Sequence, residues 1–183
     1  MPHFVERPVS RSRGARLIAV LALLAGAMAI PTWTPAHAAG HTVEMNMTVQ
    51  AGANAGYNYN GYAKGAMTIT VPSGWQVVVH FVNNGDLAHS LIALPFTPAP
   101  PAVPAATPAF PGAATRDVQG GLPVKATATV TFTAGKAGMY EFVCGVPAHA
   151  VLGMWDRLVV SATATQPTVT PASAAAATGL KAH

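Results

Sequence analysis

The stretch Phe142–Trp155, FVCGVPAHAVLGMW, places three metal-binding side chains on one short loop. The single cysteine of the chain, Cys144, is followed by His149 and then Met154, and four residues separate each side chain from the next. A thiolate, an imidazole and a thioether form a donor set that suits copper, in particular a blue-copper site completed by a second histidine. We therefore predict a copper loop that joins the end of one β-strand to the start of the next.

The second histidine of this site is predicted to be His89. It follows the turn Asn83–Asp86 and precedes the apolar segment Ser90–Leu94, as expected of a ligand held by a neighbouring strand. His80 is not included, because it lies opposite the apolar face of its own strand and is interpreted as a solvent-facing side chain. The predicted site thus holds one type 1 copper ion.

Each of these signals has a simpler interpretation when it is taken alone. A lone buried cysteine is usually a small apolar side chain. Met154 beside Trp155 is also compatible with core packing, and the spacing of the three side chains occurs by chance in many proteins. The metal site is favoured because the same chain carries an upstream histidine at a strand end and a predicted export signal. The predicted ligands are His89, Cys144, His149 and Met154.

Alternation of apolar and polar residues with period two predicts an all-β domain without a convincing helix. Met45 and Met47 lie on the apolar face of the first strand and are interpreted as core, with a second copper site as the less favoured alternative. About seven or eight short strands separated by turn residues are typical of a Greek-key β-sandwich or barrel. The strands that the pattern identifies are residues 43–50, 67–71, 75–82, 90–94, 126–132, 139–144 and 157–161.

The N-terminal residues 1–38 have the pattern of a signal peptide. A basic region ends at Arg16, residues 17–30 are apolar, and residues 36–38 match an Ala-x-Ala cleavage site. The apolar run is shorter than the about 20 residues that span a bilayer. Cleavage and export to the periplasm or the extracellular space are therefore expected, with an uncleaved N-terminal anchor as the alternative. Because exported cysteines usually pair, the single Cys144 suggests an intermolecular bridge, a reactive thiol or a metal ligand, and the nearby His149 and Met154 favour the ligand.

The residues after the signal peptide are expected to form one domain over residues 39–161. A loop at 95–121 contains seven prolines and many alanines, and it is predicted to be an extended excursion that wraps the domain or covers the site, or else a solvated linker. Residues 162–183 are mainly Ala, Thr and Pro and are expected to be disordered. Beyond residue 38 the formal net charge is one positive unit, which excludes a basic nucleic-acid-binding surface.

The ligand loop from Cys144 to Trp155, followed by Leu158–Val160, resembles the copper loop of the sulfocyanins. The stretches Tyr57–Gly61 and Met67–Trp75 resemble the N-terminal half of that family, and Asn83–His89 resembles the segment that bears its first histidine. The resemblance covers residues 43–161 and implies a cupredoxin fold. Rusticyanin, a related cupredoxin with the same ligand spacing, is the nearest alternative.

One residue of the loop departs from the family pattern. Ala148 stands where these loops more usually have glycine before the histidine. Alanine is expected to fit there unless the backbone requires a positive φ.

Sulfocyanins are typically membrane-anchored, but the cleavable leader predicts an exported protein, and the resemblance implies a one-electron carrier of a respiratory chain. No second metal cluster, open coordination position or acid/base pair is evident in the sequence, so the protein is expected to catalyse no reaction of its own. Its partners are expected to be redox proteins such as cytochromes or a terminal oxidase, docking on the apolar residues around His149. If Val151 and Leu152 packed inward, they would not be available as a docking surface. We expect a monomer that is at most peripheral to a membrane.

Two other functions stay open at this point. A periplasmic copper chaperone or storage protein would use the same ligands, or the strand that contains Met45 and Met47, to handle Cu(I). A copper-free thiol protein would leave Cys144 reactive. For the carrier, Ser90 is expected to form hydrogen bonds near the ligands, and Phe142 and Trp155 are expected to keep the site dry.

Overall fold

The computed structural model describes residues 40–183, so the predicted signal peptide 1–38 lies outside the described residues. The described part of the chain forms nine strands in two sheets, with one short 3₁₀ helix and one α-helix. The elements are β1 (Thr42–Gln50), the 3₁₀ helix (Ala53–Gly56), β2 (Thr68–Pro72), β3 (Gln76–Asn84), β4 (Ile92–Pro95), β5 (Thr127–Thr133), β6 (Gly138–Val143), β7 (Trp155–Ser161), β8 (Thr168–Thr170), α1 (Ala172–Thr178) and β9 (Lys181–Ala182).

The two sheets pack on a shared apolar core. The first sheet has the strand order β5-β3-β1-β9, and the second has the order β4-β6-β7-β2-β8. β1 runs parallel to β3 and β2 runs parallel to β7, while the remaining neighbours are antiparallel. The prediction of an all-β sandwich is confirmed, with one or two strands more than the sequence indicates.

The period-two pattern of the sequence corresponds to the burial of one face of each central strand. Met45 and Met47 of β1 are 1% and 0% exposed, which confirms that they belong to the core. On β3, Val79 and Phe81 point into the same core, whereas His80 points outward. The His80 imidazole is close to the exposed Glu44 carboxylate, so its predicted solvent-facing position is also confirmed.

The second sheet brings the ends of the predicted copper loop together. β6 and β7 are antiparallel neighbours, and Val143 pairs with Trp155 at the end of their ladder. The Cys144 amide donates a hydrogen bond to the Met154 carbonyl at 3.0 Å and closes the base of the loop. β4 lies on the other side of β6, so the residues that precede β4, including His89, are brought to the same end of the sheet.

The Pro/Ala-rich segment 95–121 has no strand after Pro95 and packs against the domain instead of extending into solvent. Its Phe110 side chain is 5% exposed and stacks on Phe132 of the core at 5.4 Å between ring centroids. Isolated bridges join Ala114 to Ile92 and, just beyond the segment, Leu122 to His89. These contacts anchor the segment to the domain, as a wrapping excursion requires and a solvated linker does not.

The expectation that residues 162–183 are disordered is wrong, as is the expectation that the chain lacks a helix. β8 pairs with β2 through backbone hydrogen bonds, and β9 pairs with β1 at the edge of the other sheet. Val169 and Ala174 are buried at 7% and 0% exposure. The amino-acid composition does not predict that residues 162–183 are ordered, because a strand is added to a sheet edge mainly through backbone hydrogen bonds and needs few apolar side chains. Among the described residues, no helix is long and apolar enough to cross a membrane.

Candidate metal centre

The structure brings three of the four predicted ligands to one buried point. The Nδ1 atoms of His89 and His149 are 3.2 Å apart, and the Cys144 Sγ atom is 3.5 Å from His149 Nδ1. The potential ligand atoms of all three residues lie within 4.8 Å of one another. Cys144 and His89 are fully buried, and His149 is 8% exposed. These atoms are close enough together for one small cation to contact all of them.

The fourth predicted ligand, Met154, is fully buried in the same core cluster as Cys144. Its amide donates to the His149 carbonyl at 3.0 Å, which tightens the loop between the two residues. Gly153 precedes it with φ of +104°, a conformation that side chains disfavour, and this glycine turns the chain toward the core. Coordination by the Met154 sulfur stays a prediction.

Burial favours the neutral form of both imidazoles of the cluster. The pKa of His89 is lowered to about 4 by burial and by the nearby His149, and burial also lowers the pKa of His149. Burial raises the pKa of the Cys144 thiol, while hydrogen bonds from the backbone amides of Ser90 and Val146 act in the opposite direction. Neutral imidazoles offer lone pairs to a metal, and metal binding would release the thiol proton.

The geometry and burial of the donor atoms fit a copper ion. Two imidazole Nδ1 atoms that face each other at 3.2 Å need a shared proton or a cation between them. The Nε2 atom of His89 is buried and has no hydrogen-bond partner among the described residues. One sulfur and two imidazoles, all withdrawn from water, match the ligand types of a trigonal blue-copper site.

Ser90 links the ligand loop to the segment that bears His89. Its amide donates to Cys144 Sγ at 3.3 Å, and its Oγ accepts a hydrogen bond from the Gly145 amide at 2.9 Å. Its hydroxyl donates to the Val118 carbonyl at 2.6 Å, whereas the distance from Oγ to the sulfur is 3.7 Å. The expected contacts of Ser90 near the ligands are therefore present, with the amide as the donor to sulfur.

The loop at residues 51–62 covers the other side of the centre, and the sequence did not identify this role. The Tyr57 ring meets the His149 ring edge-on at 4.9 Å between centroids. The buried Tyr59 hydroxyl donates to the Ser90 carbonyl at 2.7 Å, and Asn54 Nδ2 donates to the Leu152 carbonyl at 3.1 Å. Tyr57 and Tyr59 lie inside a polar turn, which does not require aromatic side chains. Their presence was the only sequence signal that this turn packs against another part of the protein.

Asn83 also supports the centre, although the sequence indicated only that it belongs to a turn. Its side chain is fully buried, and Nδ2 donates to the carbonyls of Leu87 and Leu122 at 2.8 and 2.9 Å. Its Oδ1 accepts from the Gly85 amide at 3.0 Å. These bonds hold the turn before His89 against the end of the Pro/Ala-rich segment.

Ala148 occupies a backbone conformation that favours glycine. Its φ is +70°, so the condition under which alanine is expected to be strained is met. Its amide donates to the carbonyl of Ala102 at 2.6 Å, a contact with the Pro/Ala-rich segment. The loop therefore accepts a strained residue directly before the ligand His149.

The two predicted water-excluding residues take different positions. Phe142 is fully buried in the main core, close to Phe132. Trp155 packs in a smaller cluster with Ile92, Leu94, Val143 and Ala150, and its ring lies near Phe96 and the Arg157 guanidinium. The expectation for Trp155 is therefore wrong, because Met154, just before β7, packs in the main core with Cys144, whereas Trp155 packs in the smaller cluster.

The surface around His149 exposes large apolar side chains. Val151 and Leu152 are 55% and 45% exposed, so the alternative in which they pack inward is wrong. Leu87, close in sequence to His89, and Val103, next to the Ala102 contact, are also exposed. We call Val151 and Leu152 the apolar rim.

Comparison with known proteins places the chain next to copper proteins. A family model described as the sulfocyanin (SoxE) domain matches residues 32–170. Sulfocyanin of Sulfolobus acidocaldarius is 32% identical over 140 residues, which are 73% of this chain and 70% of that protein. A solved structure of the copper protein rusticyanin is similar with a TM-score of 0.53 and 28% identity, covering 67% of this chain and 79% of that one. Rusticyanin from Thiobacillus ferrooxidans gives a TM-score of 0.50 at 26% identity over the same shares of the two chains.

Proposed function

Because the chain belongs to the sulfocyanin family of cupredoxins, we propose that it carries single electrons between respiratory proteins outside the cytoplasm. The family assignment confirms the resemblance seen in the sequence, and the similarity to rusticyanin confirms the cupredoxin β-sandwich. Its cofactor is one type 1 copper ion, in keeping with the family and with the donor cluster. When bound, copper supplies a one-electron redox couple.

The observation that carries this proposal is the buried cluster of His89, Cys144 and His149. We assign these three residues, together with Met154, as the copper ligands. The cluster is held by backbone and side-chain hydrogen bonds from the elements around it, so its donors can keep nearly the same positions in both oxidation states. Small rearrangement on electron transfer is what a carrier requires.

The alternative of a copper chaperone or storage protein receives less support. The thioethers of Met45 and Met47 lie in the core and offer no accessible Cu(I) site. The ligand cluster is buried, whereas a chaperone must exchange its ion with other proteins. We do not propose an enzymatic reaction for the chain.

The ligand assignment is tested by visible absorption and paramagnetic-resonance spectra of the copper-loaded chain. We expect an intense blue band that disappears on reduction and is absent from Cys144→Ser. Met154→Leu should keep the band and shift the redox potential, since a weak axial ligand tunes the potential without holding the ion. A colourless protein that binds only Cu(I) would refute the carrier function.

We further propose that redox partners dock on the apolar rim around His149. His149 is the least buried of the three clustered residues, and the exposed Val151 and Leu152 lie two and three positions after it in the chain. Small, weak interfaces suit transient electron-transfer encounters. The partner class is a respiratory redox protein such as a cytochrome or a terminal oxidase, and the carrier itself is expected to be an exported monomer.

A pair of surface variants tests this docking surface. Val151→Lys should slow electron self-exchange roughly tenfold or more, because a buried charge at a small interface costs more than 1.4 kcal/mol. Met139→Lys is the matched control, since Met139 is 54% exposed and lies at the far end of β6. The potential should be the same in both variants. Equal self-exchange rates for the two would refute the proposed surface.

A further inference from the structure

The residues Asp117–Gly121 form a tight turn at the end of the Pro/Ala-rich segment. The Asp117 carboxylate accepts a hydrogen bond from the Gly120 amide at 2.9 Å, and the Asp117 carbonyl accepts one from the Gly121 amide at 2.8 Å. Asp117 has φ of +51°, a conformation that Asp and Asn tolerate better than other side chains because they bond locally to the backbone. The turn is therefore held by the side chain of one exposed residue.

This turn presents the Val118 carbonyl to Ser90. The Ser90 hydroxyl has one proton, and that proton is donated to the Val118 carbonyl at 2.6 Å. Ser90 Oγ is then left as an acceptor, and it receives the Gly145 amide at 2.9 Å. With that proton directed to Val118, the hydroxyl does not donate to the Cys144 sulfur 3.7 Å away, so the thiol is the donor in the contact between Oγ and the sulfur. The sulfur receives the Ser90 amide instead.

The turn also packs tightly against both segments that bear ligands. A Cβ atom at Gly145 would lie 2.2 Å from Val118 Cγ1, so the valine fills the space directly beside the ligand loop. A Cβ atom at Gly121 would lie 2.9 Å from the His89 amide nitrogen. Leu122, the next residue, exchanges two backbone hydrogen bonds with His89 at 2.7 and 3.1 Å.

We propose that the turn Asp117–Gly121 is a positioning element for the copper centre, which keeps the Ser90 hydroxyl directed away from the Cys144 sulfur. This inference rests on the ligand assignment proposed above. Without the Val118 acceptor, the hydroxyl is free to donate to the sulfur. An added donor stabilises the more negative, reduced site and raises the potential, because hydrogen bonds to the cysteine sulfur tune such centres.

The test compares Asp117→Ala with the conservative variant Asp117→Asn in the full copper-loaded chain. Alanine removes the bond to the Gly120 amide and disfavours the positive φ, whereas asparagine keeps both features of the turn. We expect Asp117→Ala to raise the midpoint potential and to lower the copper–sulfur stretching frequency in resonance Raman spectra. Asp117→Asn should leave both at the values of the unaltered chain.

Two further measurements exclude a merely structural effect. In a Ser90→Ala background, Asp117→Ala should cause no additional shift, since the hydroxyl is no longer present. Gly120→Ala is an independent way to open the turn, because its Cβ would lie within van der Waals overlap of the Asp117 carboxylate. It should reproduce the upward shift of the potential.

The inference is overturned if Asp117→Ala leaves the potential unchanged, or if it shifts the potential equally with and without the Ser90 hydroxyl. That result is distinct from a failure of the proposed function. If the ligand assignment is wrong, the unaltered chain lacks the intense blue band. If only the role of the turn is wrong, the unaltered chain has the blue band and the turn variants have the same midpoint potential as the unaltered chain.

Discussion

Replacement of the buried carboxyl group of Glu141 by an amide should change how the stability of the protein depends on pH. Glu141 lies on β6 and is 1% exposed, and its Oε2 atom has no hydrogen-bond partner among the described residues. The Thr97 hydroxyl donates to its Oε1 atom at 3.3 Å. Burial raises the pKa of Glu141 to about 7, and the Thr97 hydrogen bonds only partly offset that increase.

The sign and size of the effect follow from proton linkage. Since the folded-state pKa lies above the unfolded value, the folded protein retains a proton that the unfolded chain releases. The stabilisation that the retained proton on Glu141 provides is complete below the pKa of the unfolded chain, and it is lost as the pH rises through about 7. A difference of 2 to 3 pKa units corresponds to about 3 kcal/mol between pH 4 and pH 8.

The assay is urea unfolding of the metal-free chain and of Glu141→Gln at several pH values. Other buried groups titrate in the same range: Asp156, whose pKa burial also raises to about 7, acts in the same direction, and His89, whose pKa is lowered to about 4, acts in the opposite one. The difference between the two proteins cancels both contributions. We expect Glu141→Gln to gain about 3 kcal/mol relative to the parent as the pH rises from 4 to 8.

A surface variant serves as the control for this measurement. Glu44→Gln removes a carboxylate whose side chain is 42% exposed, and it serves as the reference for removal of a surface charge. A pH profile of Glu141→Gln that does not differ from that of Glu44→Gln would refute the argument that burial of the Glu141 carboxyl group costs free energy when it is ionised.

Two further predictions concern the backbone of the ligand loop and the C-terminal segment. Ala148→Gly should stabilise the fold by roughly 0.5–1 kcal/mol, because relief of a positive φ, about 1–2 kcal/mol, exceeds the entropy cost of glycine. Chemical denaturation measures the gain, which should leave the blue spectrum unchanged, and a loss of stability would contradict the strain argument. Removal of residues 162–183 should cost at least about 2 kcal/mol, since it exposes the edges of β1 and β2 and removes the buried Val169. An unchanged denaturation midpoint would show that the segment contributes nothing to stability.

The chemistry of the centre could be predicted from the sequence, because that information is local. The spacing of Cys144, His149 and Met154 places the three side chains on one loop, and the alternating pattern of the strands defines which face is buried. His89 was identified by its position at a strand end, and the structure places it 3.2 Å from His149. Coordination by all four residues is still a prediction.

The distant segments that surround that loop could be identified only from the folded domain. The direction of the Ser90 hydroxyl depends on the Val118 carbonyl, and the cover over His149 depends on Tyr57. The C-terminal segment joins both sheets through backbone pairing, which composition does not encode. A hydrogen bond or an edge pairing between residues far apart in sequence is chosen by the packing of the whole domain. For that reason the ligands could be predicted from a motif, and their surroundings could not.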